Sequence, residues 1–213
     1  MAMDPHTRLL TAAAREHLRP LGLVQKGRSR KWLDDHGWFV TGVEFQPSGW
    51  SKGSYLNVGA HFLWQWGGFF SYDLGYRVEG FASYESDAQF APEADRLAAS
   101  AAREVELLRR RLPDPSAVAR VITLPPRGHG WPYYHYAVSL GLSGKARRAA
   151  RTFREIAEAA DDDRDWALVV QEQCSRFAGL VKDPPAFREA IDELIADQRA
   201  ALKLPALGRV LSG

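Results

Sequence analysis

Between residues 38 and 63 the chain alternates apolar and polar positions on either side of a turn rich in Pro, Gly and Ser, WFVTGVEFQPSGWSKGSYLNVGAHFL. Phe39, Val43 and Phe45 share one parity, and Leu56, Val58, Ala60 and Phe62 share one in the second run. Period two is the signature of a strand with one buried face, so the segment predicts a β-hairpin. The opposite parities carry Glu44, Gln46, Tyr55, Asn57 and His61, a polar set on one side of a sheet. Upstream, Leu9, Leu10, Ala13, His17 and Leu18 make a helical stripe over about Pro5–Arg19, with Asp4 as expected N-cap and Pro20 and Gly22 as the stop. LGLVQKGRSRKWLDDHGWFV then predicts one strand, a tight turn around Asp34–Gly37 and a return strand. A further alternating run over Phe69–Gly80 places Phe70, Tyr72, Leu74, Tyr76 and Val78 on one face.

These four runs with short connections predict a four-stranded antiparallel meander. Ala94, Leu97, Ala101, Val105, Leu108 and Leu112 recur at three-four spacing, which predicts a covering helix over 92–112, ended by Pro113 and Pro115. Beyond Trp131 strand patterns stop, and helices are expected near 132–142, 145–160, 163–181 and 184–203. The fold class is therefore α+β, with an antiparallel-sheet domain over 1–125 and an all-helical extension over 131–213. Phe153-Arg154-Glu155 recurs as Phe187-Arg188-Glu189, 34 residues on, the period of tetratricopeptide helix pairs. Two such units would be marginal as an independent array.

Composition narrows the function classes. The 213 residues are 46% hydrophobic and 25% charged, ordinary for a globular chain, and exclude disorder. With 28 basic and 26 acidic residues the formal charge is +2, too balanced for a dedicated polyanion binder. Cys174 is the single cysteine, so no internal disulfide is possible and a reducing, cytoplasmic location is expected. It falls within a helical pattern and reads as an inert, half-buried thiol. No window has the length of a membrane span, and the N-terminal segment lacks a signal-peptide core.

Phosphate loops, dinucleotide-binding glycines, nucleophile elbows and metal-binding Cys or His pairs do not occur, which weighs against an enzyme and calls for no cofactor and no metal. Four constellations remain. Glu44, Gln46, Asn57 and His61 could work on a ligand as carboxylate and imidazole on neighbouring strands, or could simply fasten the turn and face water. Lys26, Arg28, Arg30 and Trp32 could neutralise phosphates and stack a base, but Asp34 and Asp35 cut the positive run short, so nucleic acid is not the favoured partner. Trp50, Trp64 and Trp66 form an aromatic rim with Phe69, Phe70 and Tyr72, suited to a partner surface or to core packing. The loop Arg127-Gly128-His129-Gly130-Trp131, followed by Tyr133, Tyr134 and His135, suits a plain linker, or a ligand contact or hinge in which the flanking glycines let the histidine swing.

The order of signatures has a resemblance. Leu21-Gly22-Leu23 leads into Lys26-Gly27-Arg28 and Trp32. Val43-Glu44-Phe45-Gln46-Pro47-Ser48 and Tyr55-Leu56-Asn57-Val58-Gly59 follow. Over roughly residues 5–112 this resembles the bacterial domain-of-unknown-function 4304 family. The resemblance implies an α+β domain with an antiparallel sheet, assigns no activity and transfers no catalytic residue. The leading expectation is a non-enzymatic binding or adaptor protein that engages another protein; the alternatives are a small-molecule enzyme using Glu44 and His61, or a single-stranded nucleic-acid binder. The sequence leaves the oligomeric state open.

Overall fold

The computed structural model describes residues 4–125, 130–159 and 165–211, the last stretch with side chains from residue 168. The chain divides into two compact units, Met1–His61 with Phe70–Arg110, and Phe62–Phe69 with Arg111–Gly213. The expected boundary near residue 125 thus differs in two places. Residues 62–69, which run from the expected end of the hairpin at 63 to the expected start of the next strand at 69, and residues 111–125 both belong with the helices. No helix among the described residues is long and apolar enough to cross a membrane.

The first unit opens with α1, Pro5–Leu18, followed by a 3-10 turn closed at Gly22, whose φ of 87° lies in the left-handed region that glycine tolerates. Strands β1 (Val24–Gln25), β2 (Lys31–Asp35), β3 (Phe39–Pro47), β4 (Gly53–Phe62) and β5 (Leu74–Ser83) form one sheet in sequence order. Five strands replace the expected four. The segment read as one strand before Asp34 is broken by a turn in which Gly27 has a φ of 58° and Ser29 Oγ donates to Lys26 O. After β5, α2 runs from Asp87 to Arg111, starting ahead of Pro92. Ser86 Oγ accepts the Gln89 N–H and Gln89 Oε1 accepts the Glu85 N–H, a reciprocal cap that the apolar stripe alone does not reveal.

One face of the sheet is apolar. Trp32, Val43, Phe45, Leu56 and Val58 pack with Leu10, Ala14 and Leu18 of α1 and with Phe90, Leu97, Ala101 and Val105 of α2 in a continuous core. Each Leu, Val or Phe side chain there stabilises by about 1.5–3 kcal/mol on burial. The opposite face holds the polar parity read from the sequence. β5 departs from its expected alternation. Leu56 pairs with Glu79 but Asn57 pairs with Arg77, which leaves Val78 as an extra residue in a β-bulge. Tyr76 on the core side is 49% exposed, and its hydroxyl donates to Glu104 of α2. Phe70 and Tyr72 precede the strand and cover the polar face instead of sharing a face with Leu74: a Cβ on Gly42 would stand 2.7 Å from the Phe70 ring, and one on Gly59 2.5 Å from the Tyr72 ring.

In the second unit α3 (Val118–Val121), α4 (Trp131–Leu142), α5 (Ala146–Glu158), α6 (Asp165–Leu180) and α7 (Pro184–Ala201) follow in order. Packing joins α4 to α5, α5 to α6, α6 to α7 and α7 back to α4. The aromatic rings Tyr134, Phe153, Phe177 and Phe187, one from each long helix, meet at 5.4–6.3 Å. This is a closed four-helix ring rather than an open stack of tetratricopeptide pairs. The repeated Phe-Arg-Glu places Phe153 and Phe187 in one core, where they touch at 6.1 Å.

Candidate functional site

The polar sheet face is built by cross-strand register. Lys31 lies opposite Glu44, and its Nζ is 3.2 Å from the carboxylate. Asn57 Nδ2 donates to Gln46 Oε1 at 2.8 Å. Arg77, opposite Asn57 on β5, donates to the same Gln46 oxygen at 3.0 Å and stacks 3.9 Å over the Tyr55 ring. Continuing the parity count into β5 points to Arg77, which sequence reasoning passed over. Burial, and after it the negative charge of Glu44, holds the Tyr72 hydroxyl well above the usual phenol range.

His61 does not meet Glu44. Its ring is fully buried, and Nδ1 lies 3.0 Å from both Asp73 Oδ2 and Ser71 Oγ. Ser71 in turn donates to Asp73 Oδ1 at 2.7 Å. A nucleophilic serine needs to give its proton to an acceptor nitrogen of the imidazole. Here the serine proton goes to the carboxylate, and Nδ1 is the donating nitrogen. Three residues with the composition of a catalytic triad therefore form a fastening, closed over by Phe70 at 5.1 Å. The four predicted residues form two separate structures, Gln46–Asn57 with Arg77 and His61 with Asp73, with Glu44 bound to Lys31.

The aromatic rim also separates. Trp64 is buried within the helical unit, where its Nε1 donates to His135 Nδ1 at 3.0 Å and its carbonyl accepts from Tyr134 at 2.9 Å. Trp66 packs edge-on against Trp131 at 4.9 Å and Tyr134 at 5.3 Å. Of the two readings of this cluster, core packing describes Trp64, while Trp66 is half-buried. Trp50, in contrast, is 99% exposed. Cys174 is buried, and burial pushes its thiol up to about 12, as an inert cysteine requires. The residues Arg127, Gly128 and His129 of the predicted loop lie outside the described residues.

In the basic group Trp32 is 1% exposed within the sheet core and cannot stack a base. Lys26 and Arg28 are exposed on the β1–β2 turn. Arg30 turns inward, and its Nη2 donates to His6 Nε2 and to Thr7 Oγ1, each at 2.5 Å. His6 thereby carries its proton on Nδ1, which donates to Asp4 Oδ1 at 2.9 Å. Asp4 stands at the helix start but makes no side-chain cap; its carboxylate serves His6 instead. That hydrogen bond, against the opposing effect of burial, holds the Asp4 carboxyl below its ordinary value. Beside this chain of polar groups lies an open cavity of about 290 Å³ formed by His6, Arg30 and the β3–β4 turn from Pro47 to Gly53. No grouping among the described residues could hold a metal ion.

No family model matches the chain, and neither the curated proteins nor the solved structures provide a match. The resemblance noted above rests on its own residues.

Proposed function

We propose that the protein is a non-enzymatic binding module that engages another protein through the β3–β4 turn, with Trp50 as the anchor. The single observation that carries this reading is the complete exposure of the Trp50 ring on a five-residue connection, Ser48–Lys52. A tryptophan displayed in this way offers a large rigid apolar area with a polar N–H, the combination enriched among residues that dominate protein interfaces. The groups an enzyme would use support the same reading by being occupied: Glu44 by Lys31, His61 by Asp73. Burial of Trp32 removes the ring on which nucleic-acid stacking would depend.

A photo-activatable aromatic residue that keeps a large apolar ring at position 50 of the full chain, expressed in its native cell, tests the proposal. A control places the same residue at Val24, which is 69% exposed. A discrete adduct with a second protein is expected from position 50 and not from position 24. No adduct at position 50, or the same adducts at both, overturns the reading.

A further inference from the structure

We propose that the cavity beside the β3–β4 turn receives one carboxylate, presented by an acidic side chain of the bound protein and held between Arg30 and Lys52. This rests on the reading of Trp50 as the anchor of a protein contact, and it specifies what the partner must carry next to the residue that covers the indole.

The hydrogen-bond inventory of Arg30 is the first argument. A guanidinium has two N–H donors on each terminal nitrogen. Both hydrogens of Nη2 are used, on His6 Nε2 and Thr7 Oγ1. Nη1 is closed to bulk solvent and has no acceptor among the described residues. A charged donor left in that condition is costly, and an incoming oxygen relieves it. The second argument is charge. Lys52 lines the same cavity, is exposed and makes no ion pair among the described residues. Asp4 is the carboxylate whose charge acts on both Lys52 and Arg30. Two cations against one carboxylate, with His6 neutral, leave a single uncompensated positive charge. A carboxylate matches that charge, whereas a phosphate dianion exceeds it.

Size agrees. At about 290 Å³ the space lies just below the range for small-molecule pockets and is large enough to admit one side chain. Nη1 is itself buried, so an oxygen reaches it only with a local shift of the groups around it. The β3–β4 turn forms the rest of the lining. Trp50 rides on that turn and reports the shift.

The test uses the full chain labelled with 5-fluorotryptophan, the Trp50 resonance being assigned by Trp50→Phe. Fluorine NMR follows titration with acetyl-Leu-Glu-Leu-amide and with its Gln counterpart. The expected result is a saturable Trp50 shift with the Glu peptide, and binding about fivefold weaker for the Gln peptide and for Lys52→Gln, the weight of one partly exposed ion pair. Arg30→Lys, which keeps the charge but lacks the Nη1 donors, weakens binding as well. Equal response to the two peptides, no saturable shift, or Lys52→Gln behaving as wild type overturns the inference. A cross-link at position 50 without a Glu-specific shift rejects this site and leaves the protein contact standing. The reverse pair of results rejects the contact alone.

Discussion

His61 and His6 each hold a carboxylate through Nδ1, at 3.0 Å to Asp73 and 2.9 Å to Asp4, yet the two sites differ in what surrounds them. Around His61 the groups turn to one another: Ser71 spends its proton on Asp73, and Phe70 lies over the imidazole. Around His6 the chain of hydrogen bonds runs outward to an arginine with donors unmet at the edge of a cavity. A buried polar cluster whose members satisfy each other specifies structure. One that ends on a buried donor without an acceptor, in a residue that lines a cavity, is where we propose that a ligand enters. The comparison separates the two roles more sharply than residue type does, because the catalytic-looking residues are at the closed site.

Stability losses should concentrate at the closed site. Asp73→Ala leaves the buried Nδ1 donor and the Ser71 hydroxyl without their carboxylate, and the expected loss is about 3 kcal/mol, the upper end for leaving buried donors unsatisfied. Urea unfolding measures it; a loss below about 1 kcal/mol would show that the cluster does not fasten the β4–β5 region. At the open site Arg30→Leu removes the Nη2 bonds to His6 and Thr7 from a half-exposed position. A smaller loss of about 1 kcal/mol is expected in the same assay, since hydrogen bonds there are partly replaced by water. A loss for Arg30→Leu equal to that for Asp73→Ala would erase the distinction between the two sites.

How far the sequence showed all this follows from distance along the chain. Period-two alternation placed β3 and β4 and the polar parity of Glu44, Gln46, Asn57 and His61, because strand periodicity is local. It could not show that Phe70 and Tyr72 cross to the polar face, since that depends on Gly42 and Gly59 leaving room for their rings. Nor could it show the bulge at Val78, which is a register event between two strands. Trp50 and Trp64 look equivalent as residues of one aromatic-rich region. Only the insertion of residues 62–69 into the helical unit buries one and not the other. The open site is the least legible part, because His6, Arg30 and Lys52 come from three separate segments, and none carries a motif.

Asp4 gives the finest discrimination between the two histidine sites, because its carboxylate is at the solvent side and its titration can be followed singly. Its carboxyl is held down first by the His6 hydrogen bond, against the contrary effect of burial, and further by the nearness of the imidazole and by the Lys52 charge. A depressed native value means that the unfolded chain binds the proton more readily. The contribution of Asp4 to stability is therefore complete above the ordinary aspartate range, about pH 4, and is lost as pH falls through the native value. Carbon-detected carboxyl NMR should find Asp4 titrating below a model aspartate in the wild type. In His6→Phe, which keeps an aromatic ring against Tyr84 and Phe90 but offers no donor, the midpoint should rise toward the ordinary value. An unchanged midpoint in that variant would mean that the carboxylate does not depend on His6, and the chain from Asp4 through His6 to Arg30 would be broken at its first link.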